Sequence, residues 1–346
     1  MLKALWTDYT LHFRFTARTS RESMTEKKTY FVKLYDDSRP DVAGYGECAL
    51  FKGLSADDIP DFERILAETC RHPEEPLPKM SAICFGFESA RAALANGGGF
   101  NPWPGTWSEG RDKIVINGLI WMGDRDTMLA RIDEKLTAGF RVLKLKIGGI
   151  DFESECGLLE YIRSHFPADK LEIRLDANGS FTSVNALERL NRLSRFNIHS
   201  IEQPVKAGQP SVMADLCRQS PIDIALDEEL IGCRDELASA KLLDEISPRY
   251  VILKPTLCGG FEAADRWIRL AAERGIGWWA TSALESDIGL NAIAQWVSQY
   301  RPSMPQGLGT GQLFVNNIPS PLRLRGDCLM TNPDGAWNIS ALEWRQ

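Results

Sequence analysis

From residue 113 onward the apolar positions follow two alternating rhythms. Short runs with every second residue apolar read as strands, and longer runs with apolar residues three or four apart read as helices. Strands are predicted at residues 113–122, 141–147, 171–177, 200–203, 222–227, 250–254 and 278–282, with an eighth at 306–309. Helices are predicted at 124–138, 152–165, 184–195, 262–274 and 289–300, with Asp124 as an N-cap and Gly139 and Gly275 as stops. Such alternation implies parallel pairing through right-handed crossovers, and eight strands suit a closed barrel better than an open sheet. An open doubly wound sheet lacks its usual mark, because no G-x-G-x-x-G opens a helix.

The first hundred residues do not share this rhythm. Residues 6–17 and 29–35 read as antiparallel strands joined by a polar stretch, 18–28, which is a candidate lid. A glycine-rich segment at 44–50 (GYGECAL) and two helices near 57–71 and 80–95 complete a separate α+β unit. The boundary is expected in the Gly/Pro/Trp-rich stretch 97–110, giving units at 1–105 and 106–318, with 319–346 returning to complete the first.

Composition narrows the chemistry without naming it. The 346 residues are 44% hydrophobic and 25% charged, which is ordinary for a globular chain. A net charge of −7 argues against a nucleic-acid partner. No run approaches the ~18 apolar residues of a membrane span, and the N-terminus lacks the apolar run of a signal peptide. A cytoplasmic protein is expected, with no membrane partner. None of the eight cysteines forms C-x-x-C, and the four histidines are scattered. Acid–base chemistry therefore falls to Lys, Asp and Glu.

The strands place those residues. In the second, Leu143, Leu145 and Ile147 share one face and Lys144 and Lys146 the other; in the third, Leu171, Ile173 and Leu175 oppose Glu172, Arg174 and Asp176. The surrounding helices need the apolar face, so the charged face must look into the barrel, where charges have to pair or bind something. Lys146, Asp176, Glu202, Asp227 and Lys254 follow one another at intervals of 30, 26, 25 and 27 residues, one strand–helix unit each. All lie at or near the C-terminal ends of their strands, the end at which barrel enzymes keep their active sites. Three converging carboxylates form an all-oxygen donor set suited to Mg²⁺, and flanking lysines supply a base and an electrophilic partner. Such a group suits abstraction of a proton α to a carboxylate.

At these residues the chain resembles the enolase superfamily. The resemblance rests on K-x-K at Lys144 and Lys146, D-x-N at Asp176 and Asn178, E-Q-P from Glu202, D-E at Asp227 and Glu228, and K-P-T from Lys254. It implies a TIM-like (β/α)7β barrel with an α+β N-terminal capping domain, in the muconate-lactonizing subgroup. It further implies Lys146 as catalytic acid/base, Lys254 as the opposing lysine, and Asp176, Glu202 and Asp227 as ligands of Mg²⁺, for which Mn²⁺ substitutes. Asn178 and Glu228 would stand behind the ligands.

Within the subgroup the chain is most similar to the o-succinylbenzoate synthases, through R-L-D-A-N from Arg174, I-L-K-P-T-L-C-G-G from Ile252, T-S-A-L-E-S from Thr281 and G-L-G-T-G from Gly307. That family is a lyase of menaquinone biosynthesis, dehydrating 2-succinyl-6-hydroxy-2,4-cyclohexadiene-1-carboxylate to 2-succinylbenzoate. The resemblance implies a small carboxylate substrate, with Lys144, Arg174, Thr281, Ser282 and Gly307 near it. Arg174 has the alternative of an internal salt bridge, and the two hydroxyls that of local backbone bonds. Two departures stand out: Glu228 is followed by Glu229 where many relatives place serine, and the last strand carries Gly309-Thr310-Gly311 in place of the D-x-D of dipeptide epimerases. An N-acylamino acid racemase or dipeptide epimerase on the same two lysines is the alternative within the fold. A Schiff-base aldolase and a non-catalytic binding barrel lie outside it.

Overall fold

A computed structural model describes residues 1–18, 23–233 and 235–346. Strands β1 (Leu2–Arg18), β2 (Ser23–Asp36) and β3 (Arg39–Cys48) form an antiparallel sheet in that order. Helices α1 (Phe62–Arg71) and α2 (Ser81–Ala95) follow. Glycines in β3 explain how α2 lies so close to the sheet: a Cβ on Gly44 or Gly46 would overlap the carbonyl oxygens of Ala90 or Gly86. Residues 23–28, expected in a loop, instead extend β2, with Glu26 opposite His12 and Ser23 opposite Arg18. The rest of the expected lid, residues 19–22, lies outside the described residues.

The predicted strand at 113–122 is two strands. Ile116 changes the partner, its N–H bonding Asp327 while that of Asn117 bonds Gln306. Hence β4 (Ile114–Val115) is separate from β5 (Gly118–Ile120). Then follow α3 (Arg125–Thr137), β6 (Val142–Lys146), α4 (Phe152–His165), β7 (Glu172–Asp176), α5 (Ala186–Ser194) and β8 (Ser200–Glu202). The order continues with α6 (Pro210–Gln219), β9 (Asp223–Leu226), α7 (Glu236–Ile246), β10 (Tyr250–Leu253), α8 (Pro255–Cys258) and α9 (Phe261–Glu273). The chain finishes with β11 (Gly277–Ala280), α10 (Asp287–Gln299), β12 (Leu322–Arg325) and β13 (Cys328–Thr331). Asp124 caps α3 as predicted, its carboxylate accepting the Thr127 N–H at 2.8 Å.

β5 to β11 lie in sequence order in one seven-stranded sheet whose recorded pairings are all parallel. The expected eighth strand is reduced to two bridging residues, Gln306 pairing with Ile116 and Gly307 with Thr281, which join the sheet's two edges. This is an α/β barrel with an α+β cap, the architecture that the resemblance implied. The outward faces, including Leu143, Leu145, Leu175 and Ile201, pack with the helices in one apolar core. A second core fills the cap around Val32, Leu34, Leu66 and Phe87. A third, with Leu11, Phe13, Phe51, Trp121, Leu257 and Leu284, lies where cap and barrel meet.

The tail touches both units. β12 and β13 form a hairpin that pairs with β4, while Trp6 and Arg345 exchange backbone bonds of 2.8 and 2.9 Å at the edge of the cap sheet.

Candidate active site

Parallel register places the chemistry in one layer. Lys146 pairs across to Asp176, and Asp176 to Glu202, at the C-terminal ends of β6, β7 and β8. Asp227 and Lys254 follow the ends of β9 and β10 directly. With three strands between β6 and β10, Lys146 and Lys254 approach from opposite sides of the barrel.

Each carboxylate is met by an ammonium group. Lys144 Nζ lies 3.0 Å from Asp176 and 2.5 Å from Glu202, all three side chains being buried. Lys146 donates to Asp176 at 2.9 Å and to the Asn178 side-chain oxygen at 2.8 Å. Lys254 donates to Asp227. Asn178 in turn donates to Glu228 at 3.1 Å. Burial alone would raise the Asp176 carboxyl, but Lys144, Lys146 and Lys254 outweigh it and hold it well below its ordinary range. Burial pushes Glu202 up to about 7, against the pull of Lys144 and with Asp176 and Asp227 adding to the rise. Burial works against the charge of Lys144 and Lys254, yet the carboxylates facing them hold both above an ordinary lysine.

A cavity of about 180 Å³ opens above this layer. Lys144, Lys146, Asp176, Asn178, Glu228 and Lys254 line it, and so do Thr281, Ser282 and Gly307. Glu202 and Asp227 sit behind the wall and reach it through Lys144 and Lys254. The structure takes Arg174 elsewhere. One layer deeper and fully buried, its guanidinium lies 4.4 Å from the Trp279 ring and bonds Glu172 at 2.7 Å and the Pro305 carbonyl at 2.9 Å. The internal salt bridge prevails over the expected substrate contact: Lys144, the register partner of Arg174 on β6, reaches up to the carboxylates, whereas the guanidinium is held at its own depth by Trp279, Glu172 and Pro305. The Ser282 hydroxyl is engaged locally, donating to Glu285 at 2.6 Å and accepting from Thr310 at 2.6 Å, whereas Thr281 Oγ1 is buried with no hydrogen-bond partner among the described residues. The extra carboxylate, Glu229, turns away and accepts the Gly208 N–H at 3.1 Å.

Several lining residues were not anticipated. Asn117, Leu119 and Trp121 share the inward face of one predicted strand, so the alternation that revealed the lysines also marked them. Asn117 Oδ1 and Trp121 Nε1 are buried and lack hydrogen-bond partners among the described residues. Phe51, Lys52, Gly53 and Leu54 come from the cap loop after β3, and no local pattern placed that loop on the barrel.

The donor set fits a hard divalent cation, although not as a finished centre. Among the described residues no group of three or more His, Cys, Asp or Glu side chains stands ready to hold a metal. The ammonium groups account for this, since Lys144 sits between Asp176 and Glu202 while Lys254 holds Asp227. Glu202 Oε1 is nevertheless buried with no hydrogen-bond partner among the described residues, an expensive state that a cation would relieve. All the donors are oxygens, as Mg²⁺ requires.

Residues 127–328 match the family model "Enolase C-terminal domain-like". The o-succinylbenzoate synthase of Desulfotalea psychrophila is 46% identical over 92% of this chain and 96% of its own length. The chain belongs to the o-succinylbenzoate synthase family of the enolase superfamily. It is an enzyme of the carbon–oxygen lyase class. The crystal structure of MenC from Desulfotalea psychrophila superposes with a TM-score of 0.85 at 42% identity, over 95% of this chain and 99% of that one. A dipeptide epimerase from Enterococcus faecalis superposes with a TM-score of 0.82, over 96% and 97%, but at 17% identity. It shares the fold alone.

Proposed function

We propose that the enzyme dehydrates 2-succinyl-6-hydroxy-2,4-cyclohexadiene-1-carboxylate to 2-succinylbenzoate, as a step of menaquinone biosynthesis in the cytoplasm. The carrying observation is the pair Lys146 and Lys254, facing each other across one small cavity with carboxylates between them. Lys146, in its neutral form, takes the proton α to the ring carboxylate. The same ammonium then returns it to the departing hydroxyl, so the products are the aromatic acid and one water. Lys254 stays charged on the other face, held so by Asp227, and stabilises the negative charge growing on the carboxylate. Asp176, Glu202 and Asp227 are the residues that would hold Mg²⁺ or Mn²⁺, with Asn178 and Glu228 beside them on the cavity wall rather than behind them. A bound divalent cation supplies Lewis-acid stabilisation for that same charge. Thr281, Ser282, Gly307 and Lys144 line the space left for the substrate. The eight free cysteines agree with a reducing compartment, and among the described residues no helix is long and apolar enough to cross a membrane.

The direct test is an ultraviolet assay for aromatic product from the cyclohexadiene substrate, with Mg²⁺ and with chelator. Metal-dependent aromatisation is expected. Deuterium exchange at an amino-acid α-carbon, with no aromatic product, would replace this function by the racemase or epimerase alternative.

A further inference from the structure

The cap sends one buried cation into the barrel. Lys27 lies on β2, where alternation turns Glu26 and Lys28 outward and Lys27 and Thr29 inward. Only 6% of Lys27 is exposed, and its Nζ donates to the carbonyl of Leu284 at 2.8 Å. Leu284 follows β11, lines the cavity, and is held at φ +64°, a left-handed conformation costly for a residue with a branched side chain. The Lys27 ammonium also lies 6.0 Å from the ring of Phe51, which lines the cavity from the cap.

Two fully buried carboxylates compensate this charge. Glu47, from β3 of the cap, accepts the Ser286 N–H at 3.0 Å, its hydroxyl at 2.6 Å, and the Gly289 N–H at 3.0 Å, and so grips the start of α10. Glu285 accepts the Ser282 hydroxyl at 2.6 Å and the Ala283 N–H at 2.7 Å, and its other oxygen has no hydrogen-bond partner among the described residues. The loop 281–286 is therefore held from the cap at two points, a cation on its carbonyl and an anion on its amides. Burial lowers the pKa of Lys27, and Glu47 and Glu285 oppose that fall. A buried charge of this kind survives only where its surroundings are built for it.

We propose that Lys27 is a positioning residue: by fixing the Leu284 carbonyl, it holds the loop that presents Thr281, Ser282 and Leu284 to the substrate cavity. The inference rests on the proposed reaction only for the identity of the ligand. Lys27 does not touch the reacting atoms, so its loss should weaken binding more than turnover. The variants are Lys27→Met, the charge-balanced Lys27→Met/Glu285→Gln for the case that the first does not fold, Ser282→Ala, and Lys27→Met/Ser282→Ala. Three readings are taken: amide hydrogen exchange without ligand, calorimetric binding of 2-succinylbenzoate, and KM with kcat.

Faster exchange confined to residues 282–289, KM and product Kd raised about tenfold, and kcat kept within about threefold are expected, the tenfold being the weight of one charge-assisted bond. The Lys27→Met and Ser282→Ala losses should be non-additive, as for residues acting on one loop. Unchanged exchange across 282–289, or KM and Kd within about twofold of the parent protein, would overturn the proposal, as would strict additivity. A parent protein that makes no aromatic product sinks the proposed reaction but leaves the exchange result to decide on Lys27.

Discussion

Replacing Lys144 with methionine removes the ammonium shared by Asp176 and Glu202 and keeps nearly the same volume. Both bonds, at 3.0 and 2.5 Å, join side chains that are almost wholly buried. Removing one partner of a buried pair costs about 3–5 kcal/mol, because the remaining charge is left uncompensated. For 346 residues, unfolding carries an entropy of about 0.7 kcal/mol/K, so Tm should fall by about 4–7 °C. Scanning calorimetry at pH 8 in chelator measures it. Glu202 sets the pH dependence: its folded value of about 7 lies above the ordinary 4.5, so its contribution is full at low pH and lost as pH rises through 7. Without Lys144 that value rises further, and the deficit should shrink as pH falls toward 6. Mg²⁺ should also raise the variant's Tm more than the parent's, since the cation would replace the missing compensation. A fall of less than about 1 °C would refute the claim that Lys144 neutralises this layer.

Lys146→Ala and Lys254→Ala should each lower kcat by at least about 10²-fold, with circular dichroism unchanged; retained turnover in Lys146→Ala would remove the proposed mechanism. Glu88, on α2, accepts the backbone N–H groups of Phe261 and Glu262 at 2.6 and 3.1 Å, and burial pushes its carboxyl up to about 7 despite those bonds. The fold thus favours protonated Glu88, so this contribution is full below about pH 4.5 and lost as pH rises through about 7. Glu88→Gln should therefore raise Tm at pH 8 while changing it little at pH 4.5. Equal Tm values for variant and parent at pH 8 would contradict this.

Local sterics made much of the barrel legible, because a strand turns successive side chains to opposite faces whatever surrounds it. That rule alone turned Lys144 and Asp176 inward, and the regular strand–helix interval brought five charges to one end of the barrel. The same rule overreached at Arg174, since a face does not say where a long inward side chain finds its partners: Lys144 at the same register reaches the cavity, while Arg174 is closed off against Trp279, Glu172 and Pro305. The eighth strand was visible only as a short run because two bridging residues suffice to close the sheet.

Elsewhere the deciding contacts join distant parts of the chain. Lys27 meets Leu284 across 257 residues, and Glu47 meets Ser286 across 239. No periodicity within either segment records such a meeting. In the sequence Lys27 is one of two adjacent lysines in a polar stretch, and its neighbour Lys28 bonds Glu63 at the surface. Which strands would form, and which of their faces carried charge, was written in neighbouring residues. Which of those charges became buried, and which loop of the cap closed over the barrel, depended on packing two units together, where desolvation and pairing are settled only by what arrives from the other side.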